Sequence, residues 1–162
     1  MKQLRTRKQC GQAMVELAVV LPFLLLLGLG VIEMGRYAYI AMLIGNAAHA
    51  GAFYGSQSNG QSVDTNGITK AADYDFAGAV ATTNANGQPV SKLTVTSSVS
   101  CGCDSAGTIT SQACADATVC SATSRWVVIV SVTATGNFSS LFNYPGIPSP
   151  LTITRTASMP VL

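Results

Sequence analysis

The sequence predicts an α+β protein: a long N-terminal membrane-spanning helix that continues into a small antiparallel sheet domain with one short helix. Three observations carry that prediction. A basic leader runs into an apolar stretch long enough to cross a bilayer. Helical spacing of apolar and small residues continues beyond that stretch. Three later segments alternate apolar and hydroxylic residues, the period of a half-buried strand.

Composition sets the outer bounds. A chain of 162 residues accommodates one membrane segment and one small domain. Only 10% of residues are charged, and mean hydropathy is +0.37 because Ser, Thr, Gly and Asn fill the polar positions. That balance suits a β-rich exported domain better than a cytosolic enzyme. The net charge of +2 hides an asymmetry. Lys2, Arg5, Arg7 and Lys8 precede the first acid, whereas from Gln12 onward five basic residues meet seven acids. With no basic patch outside the leader, no nucleic-acid partner is expected.

The leader opens directly onto the first helix. Leu17 to Ile32 carries no charge, and Ala13–Ile32 spans about 30 Å as a helix if Glu16 is tolerated. A carboxylate near a bilayer centre costs roughly 2.5–3.5 kcal/mol, less towards the interface where Glu16 falls. An anchor alone would place Leu there. Basic residues cluster before the span, so the N-terminus is expected in the cytoplasm and everything after Arg36 outside it, with lipid around the span. Pro22 removes one backbone donor, a change membrane helices tolerate. A cleaved secretory signal fits less well, because the Ala48-His49-Ala50 site lies far beyond the apolar run. A lipoprotein signal fails too, since basic residues precede Cys10.

Past the span, Tyr37, Ile40, Ile44, Ala47 and Gly51 recur at spacings of three and four. Glu33 and Arg36 are placed to pair at the membrane exit. The stripe narrows to small residues around Gly45–Ala52, which permits close helix approach, either to this protein's own domain or to another subunit. Gly55–Gly60 is rich in turn formers and ends the helix.

A basic leader, Gly11, and Glu16 at the fifth position after it, all at the head of such a helix, resemble type IV prepilins. More narrowly, Gly11-Gln-Ala-Met-Val-Glu-Leu-Ala-Val-Val-Leu-Pro22, Ile32-Glu-Met-Gly-Arg36 and Asn46-Ala-Ala48 resemble the TadE-like family. These are minor pseudopilins of tight-adherence (Flp, Tad) pilus systems. The likeness is strong over residues 11–52 and weaker at Val130–Thr135, Phe138–Leu141 and Leu151–Thr154. It implies cleavage by a prepilin peptidase between Gly11 and Gln12, so that Glu16 becomes the fifth mature residue. It also implies partners among other pilins and pseudopilins and the inner-membrane assembly platform of a bacterial cell. Where that family often carries arginines, this chain has His49 and Phe53. The physics beside the resemblance is coherent: an α-amino group freed at Gln12 and the Glu16 carboxylate of a neighbouring subunit are each costly alone in the interface, and less so paired.

The exported part reads as a small sheet with a covering helix. Leu93–Val99, Trp126–Ala134 and Leu151–Ala157 alternate, giving one apolar face and one Thr-rich solvated face. Ile68–Ala81 reads as a helix capped from Asp64-Thr-Asn66, with Ile68, Ala72, Phe76 and Val80 turned to the sheet. Cys10 lies in the leader, which leaves Cys101, Cys103, Cys114 and Cys120 in a Gly/Ser/Thr-rich loop, 101–120. Closure between Cys101 and Cys103 would be strained, so one of them is expected to bridge Cys114 and the other Cys120. A zinc site made by these four has atypical spacing. Asn137–Pro150 holds three aromatics and three prolines, suited to closing its own sheet edge or anchoring an interface. Its Asn137-Phe-Ser139 sequon is expected to occur by chance.

Nothing in the chain argues for an enzyme, and no catalytic, cofactor-binding or metal residue is assigned. His49 has no second histidine beside it. Asp73 and Asp75 face different ways on a helix, and Asp64, Asp104 and Asp116 lie in loops without a basic or nucleophilic neighbour in sequence. The expected organisation is a leader, 1–11; a helix, 12–55, crossing the membrane over about 13–32; and a periplasmic domain, 56–162. Two functions fit it. One is a minor pseudopilin, matured after Gly11, that helps initiate or regulate pilus assembly and is incorporated into a surface pilus. The other is an uncleaved single-pass protein whose periplasmic domain binds a ligand or partner; it leaves Gly11 and Glu16 without a role.

Overall fold

A computed structural model describes residues 9–80, 93–115, 120–142 and 150–162, with the side chains of 9, 10 and 77–80 left aside. The leader cations, Asp116, and the prolines of the 143–149 segment therefore lie outside the described residues. Two compact units divide the chain, Met1–Ala38 and Tyr39–Leu162. The first is the apolar part of helix α1, which runs Gln9–Ser56 and contains Pro22. It is long and apolar enough to cross a membrane. Its large side chains lie open along the whole stretch, from Met14 to Ile32. Arg36 Nη1 donates to Glu33 Oε2 at 3.0 Å, with Glu33 only 12% exposed. The pair neutralises two charges where the apolar stretch ends.

In the second unit, four antiparallel strands form one sheet in the order β2-β1-β3-β4. They are β1 (Thr94–Ser105), β2 (Thr108–Gln112), β3 (Arg125–Phe138) and β4 (Leu151–Pro160). Period-2 alternation puts Val130, Val132 and Ala134 of β3 on the buried face, each essentially inaccessible to solvent. The last turns of α1 and helix α3 (Thr65–Val80) cover that face, so Ala52, Ile68, Val130 and Val132 make one core cluster.

The small residues of α1 are what let it lie so close. A Cβ on Gly51 would meet Val132 Cγ1 at 3.1 Å, and one on Gly55 would meet Val130 Cγ2 at 3.0 Å. Of the two uses open to this stripe, Gly51 serves packing on the chain's own sheet, and so does Gly55 just beyond it, which the sequence reads as a turn former and which lies inside α1. The chain end closes the same region: Val161 N–H donates to Val128 O and Leu162 N–H to Ser56 O.

Three elements differ from the sequence reading. The 101–120 loop is largely strand: β1 runs on through Cys101 and Cys103, and β2 returns beside it in register. The turn between them uses Ala106 and Gly107 at φ 51° and 87°, with Gly107 N–H donating to Asp104 Oδ1. Gly107 is the usual second residue of such a turn, but Ala106 at positive φ stands where Asn, Asp or Gly is favoured, so the sequence signal is weak. A one-turn helix, α2 (Asn59–Ser62), follows α1; Ser58 caps it by accepting from Gln61 N–H. β3 also extends to Phe138, which is buried, so the aromatic segment begins later than expected.

Helix α3 starts three residues before Ile68 because Asp64 caps it. Asp64 Oδ1 accepts from Gly67 N–H at 3.0 Å, and its Oδ2 accepts from Tyr54 Oη–H at 3.0 Å. A Cβ at Gly67 would collide with both Asp64 Oδ2 and Tyr54 Oη, so any larger residue there must displace this hydrogen-bonded pair. These bonds, Gly67 first and Tyr54 next, hold the Asp64 carboxyl below its ordinary pKa. The bond to Asp64 is also the main reason that Tyr54 lies above the ordinary phenol pKa. The carboxylate's contribution is present above about pH 3.9 and lost as pH falls through its lowered value; the neutral phenol's is present below about pH 10 and lost as pH rises through its raised value. Thermal unfolding against pH is expected to be flat between these limits and to fall on both sides, and Tyr54→Phe is expected to remove the alkaline fall attributable to this contact.

Candidate assembly site

Gly11, Gln12 and Glu16 stand on the exposed first turns of α1. One turn of helix separates Gln12 from Glu16, so the two share a face with Val15, Val19 and Val20, and that face is open and shallow. Glu16 has no ion-pair partner among the described residues. A Cβ on Gly11 would meet nothing within 4 Å. A helical glycine costs roughly 0.5–1 kcal/mol against alanine, and among the described residues no close packing offsets that cost at Gly11, as at Gly28, Gly30 and Gly35 of the same apolar stretch. This contrasts with Gly51 and Gly55, whose identity the core explains.

Further along α1, in the second unit, the solvent side carries a second feature. Tyr39, Met42, Asn46, His49 and Phe53 follow the 3-4-3-4 spacing of a helix-packing seam, and all five are exposed. Phe53 is 59% and Met42 61% accessible. The stripe expected from the sequence, Tyr37, Ile40, Ile44, Ala47 and Gly51, lies one or two positions away and turns inward from Ile44 on, so it does not include this one. The spacing was visible, but nothing before the fold showed which stripe the sheet would cover.

The four cysteines close as two bridges, Cys101–Cys114 and Cys103–Cys120, spanning 13 and 17 residues. Loops of that length correspond to about 3 kcal/mol of stabilisation each in the chain-entropy account. They tie the β1–β2 hairpin to the approach to β3, where Asp104 and Arg125 lie in register and approach to 3.8 Å. That partner for Asp104 is invisible in sequence because strand pairing supplies it. On α3, Asp75 is exposed, while Asp73 Oδ1 is buried without a hydrogen-bond partner among the described residues. Among those residues no group of three His, Cys, Asp or Glu side chains is placed to hold a metal.

The stretch that carries Gly11, Gln12, Glu16 and most of the exposed seam is also the part with recognisable kin. Residues 11–52 match the family of TadE-like proteins. Neither the curated proteins nor the solved structures compared contain a match. The TadE-like match covers α1 from Gly11 to Ala52 and stops before the sheet, so the C-terminal likeness lies outside it. It points to a component associated with a Tad pilus, and TadE-like proteins are a structural rather than a catalytic family.

Proposed function

We propose that this chain is a minor pseudopilin, a non-catalytic component of a tight-adherence pilus. In this reading prepilin peptidase removes residues 1–11, and Gln12 becomes the new N-terminus. The chain crosses the bacterial inner membrane once, over about residues 13–32, with its sheet domain in the periplasm. From there it joins other pilins and pseudopilins at the assembly platform and helps initiate or regulate growth of the pilus.

One observation carries the reading. The TadE-like match falls on the helix segment that carries an exposed apolar surface and, in Glu16, a carboxylate without an ion-pair partner among the described residues. Two disulfides in the sheet domain support an oxidising compartment. The exposed Tyr39–Phe53 seam supports a helical neighbour on the exported side. A photo-reactive amino acid at Met42 or Phe53 checks this in cells. Adducts with a pilin-type subunit are expected, whereas the same probe at buried Ile68 gives none. Capture of lipid alone from Met42 and Phe53 would contradict it.

A further inference from the structure

We propose that the outer face of the sheet binds a neutral, hydroxyl-rich polymer, a polysaccharide chain. The proposal stands on the sheet alone and holds whether or not the pilus reading does. Strand register places three rows of hydroxyls side by side, centred on Thr135, Thr133 and Ser131 of β3, each flanked by a Thr or Ser from β1 and from β4. The middle row is Thr96, Thr133 and Thr156. Alternation requires only that this face be polar. A typical surface would mix in Lys, Glu, Asp and Arg, yet these nine positions hold none. The one cation of β4, Arg155, pairs in register with buried Ala134 and so belongs to the opposite face.

The hydroxyls are organised beforehand. Ser131 and Ser158 bond at 2.8 Å, Thr133 and Thr156 at 2.9 Å, and Thr135 and Thr154 at 3.1 Å. Each pair uses one of its two protons internally, which leaves one donor and several acceptor lone pairs for an outside group. Stiff χ1 angles at the threonines help hold the oxygens in place, so binding has little side-chain freedom to remove. The rows repeat at about 6.8 Å along a strand and about 4.8 Å across strands.

A ligand matched to these rows is neutral, both donates and accepts, and repeats. Sugar polymers meet all three conditions. Nucleic acids and anionic lipid headgroups would find no cation in the rows; Arg125, on the same face at the far end of β3, faces Asp104 at 3.8 Å. With no aromatic ring in the rows, recognition is spread over many weak hydrogen bonds, and affinity grows with the number of rows engaged. Sheet twist of about 20–25° per strand prevents a rigid crystal plane from meeting every row, whereas a flexible chain can follow it. That favours an amorphous polysaccharide over ice or a crystalline surface.

The test uses the full chain in detergent micelles, depleted by amorphous cellulose and by cross-linked dextran at low and molar salt. Retention is expected on at least one of the two, unchanged by salt, competed by long dextran but not by glucose. Thr133→Val combined with Thr156→Val removes two of the three hydroxyls of the middle row at nearly constant shape and is expected to weaken retention about tenfold. Thr156→Arg, which sets charge and bulk over the rows, is expected to do the same. Melting curves and intact disulfides establish that both variants are folded. No retention on either polymer, equal retention by folded variants, or loss in salt would overturn the proposal. So would self-association that the valines abolish, since it would assign the face to a second copy.

Discussion

Replacing Glu16 with leucine is expected to lower the amount of this protein carried into assembled pili by about a hundredfold or more, while leaving the sheet domain folded. Glu16 is exposed on α1 and belongs to a different compact unit from the sheet, so the sheet's own core is left as it was. Insertion itself should improve, because a charge has left the apolar run. The loss falls on the neighbour. Under the proposed cleavage, the α-amino group of Gln12 of one subunit would lose its carboxylate, and leaving one buried charge without its partner costs about 3–5 kcal/mol. At 1.4 kcal/mol per tenfold, that is two orders of magnitude or more. Comparing the pilus-bound and membrane pools of each variant measures it. The effect should also vanish in a chain that keeps its leader, since the ammonium then never forms; the two changes are coupled, and their effects do not add. Equal incorporation of wild type and Glu16→Leu would show that the carboxylate merely reaches the interface.

Replacing Ile68 with alanine is expected to destabilise the sheet domain by about 2–5 kcal/mol, a large share of the 5–15 kcal/mol typical of a small domain. Ile68 is completely buried in the cluster with Ala52, Val130 and Val132. Its side chain lies against the places where Gly51 and Gly55 lack a Cβ. The neighbours on that side are backbone and cannot spread into the space, so a cavity remains. The converse change at the same contact, Gly55→Leu, is expected to cost about 1–3 kcal/mol or more by overpacking against Val130. Denaturant unfolding of the full chain in detergent measures both. Both variants should still form their disulfides, and an unchanged midpoint for Ile68→Ala would mean that α3 is not part of the core.

Helix α1 and strand β3 were the most legible parts of the fold, because hydropathy and period-2 alternation report burial directly. β4 was legible for the same reason. The Cys-rich end of β1 and the β2 hairpin were not, since Cys, Gly, Asp and Ser show no apolar period and the turn passes through Ala106. Small residues in α1 were visible as a stripe, but whether they packed at home or abroad required Val130 and Val132 to be seen beneath Gly51 and Gly55. The hydroxyl rows lay between these cases: a Thr-rich face was readable, but the side-by-side pairing of Thr133 with Thr156 needed the register. For the candidate assembly site, Gly11 and Glu16 were legible as a spacing, and among the described residues Glu16 has no ion-pair partner and Gly11 no close neighbour.

The central claim is tested most directly by the intact mass and N-terminal sequence of the protein taken from its native membrane, beside a Gly11→Arg variant. The account predicts that the wild type begins at Gln12 and that the variant retains Met1 and the full leader. Retention of the leader by both would contradict cleavage and assembly, and would favour an anchored protein whose sheet domain binds its own partner.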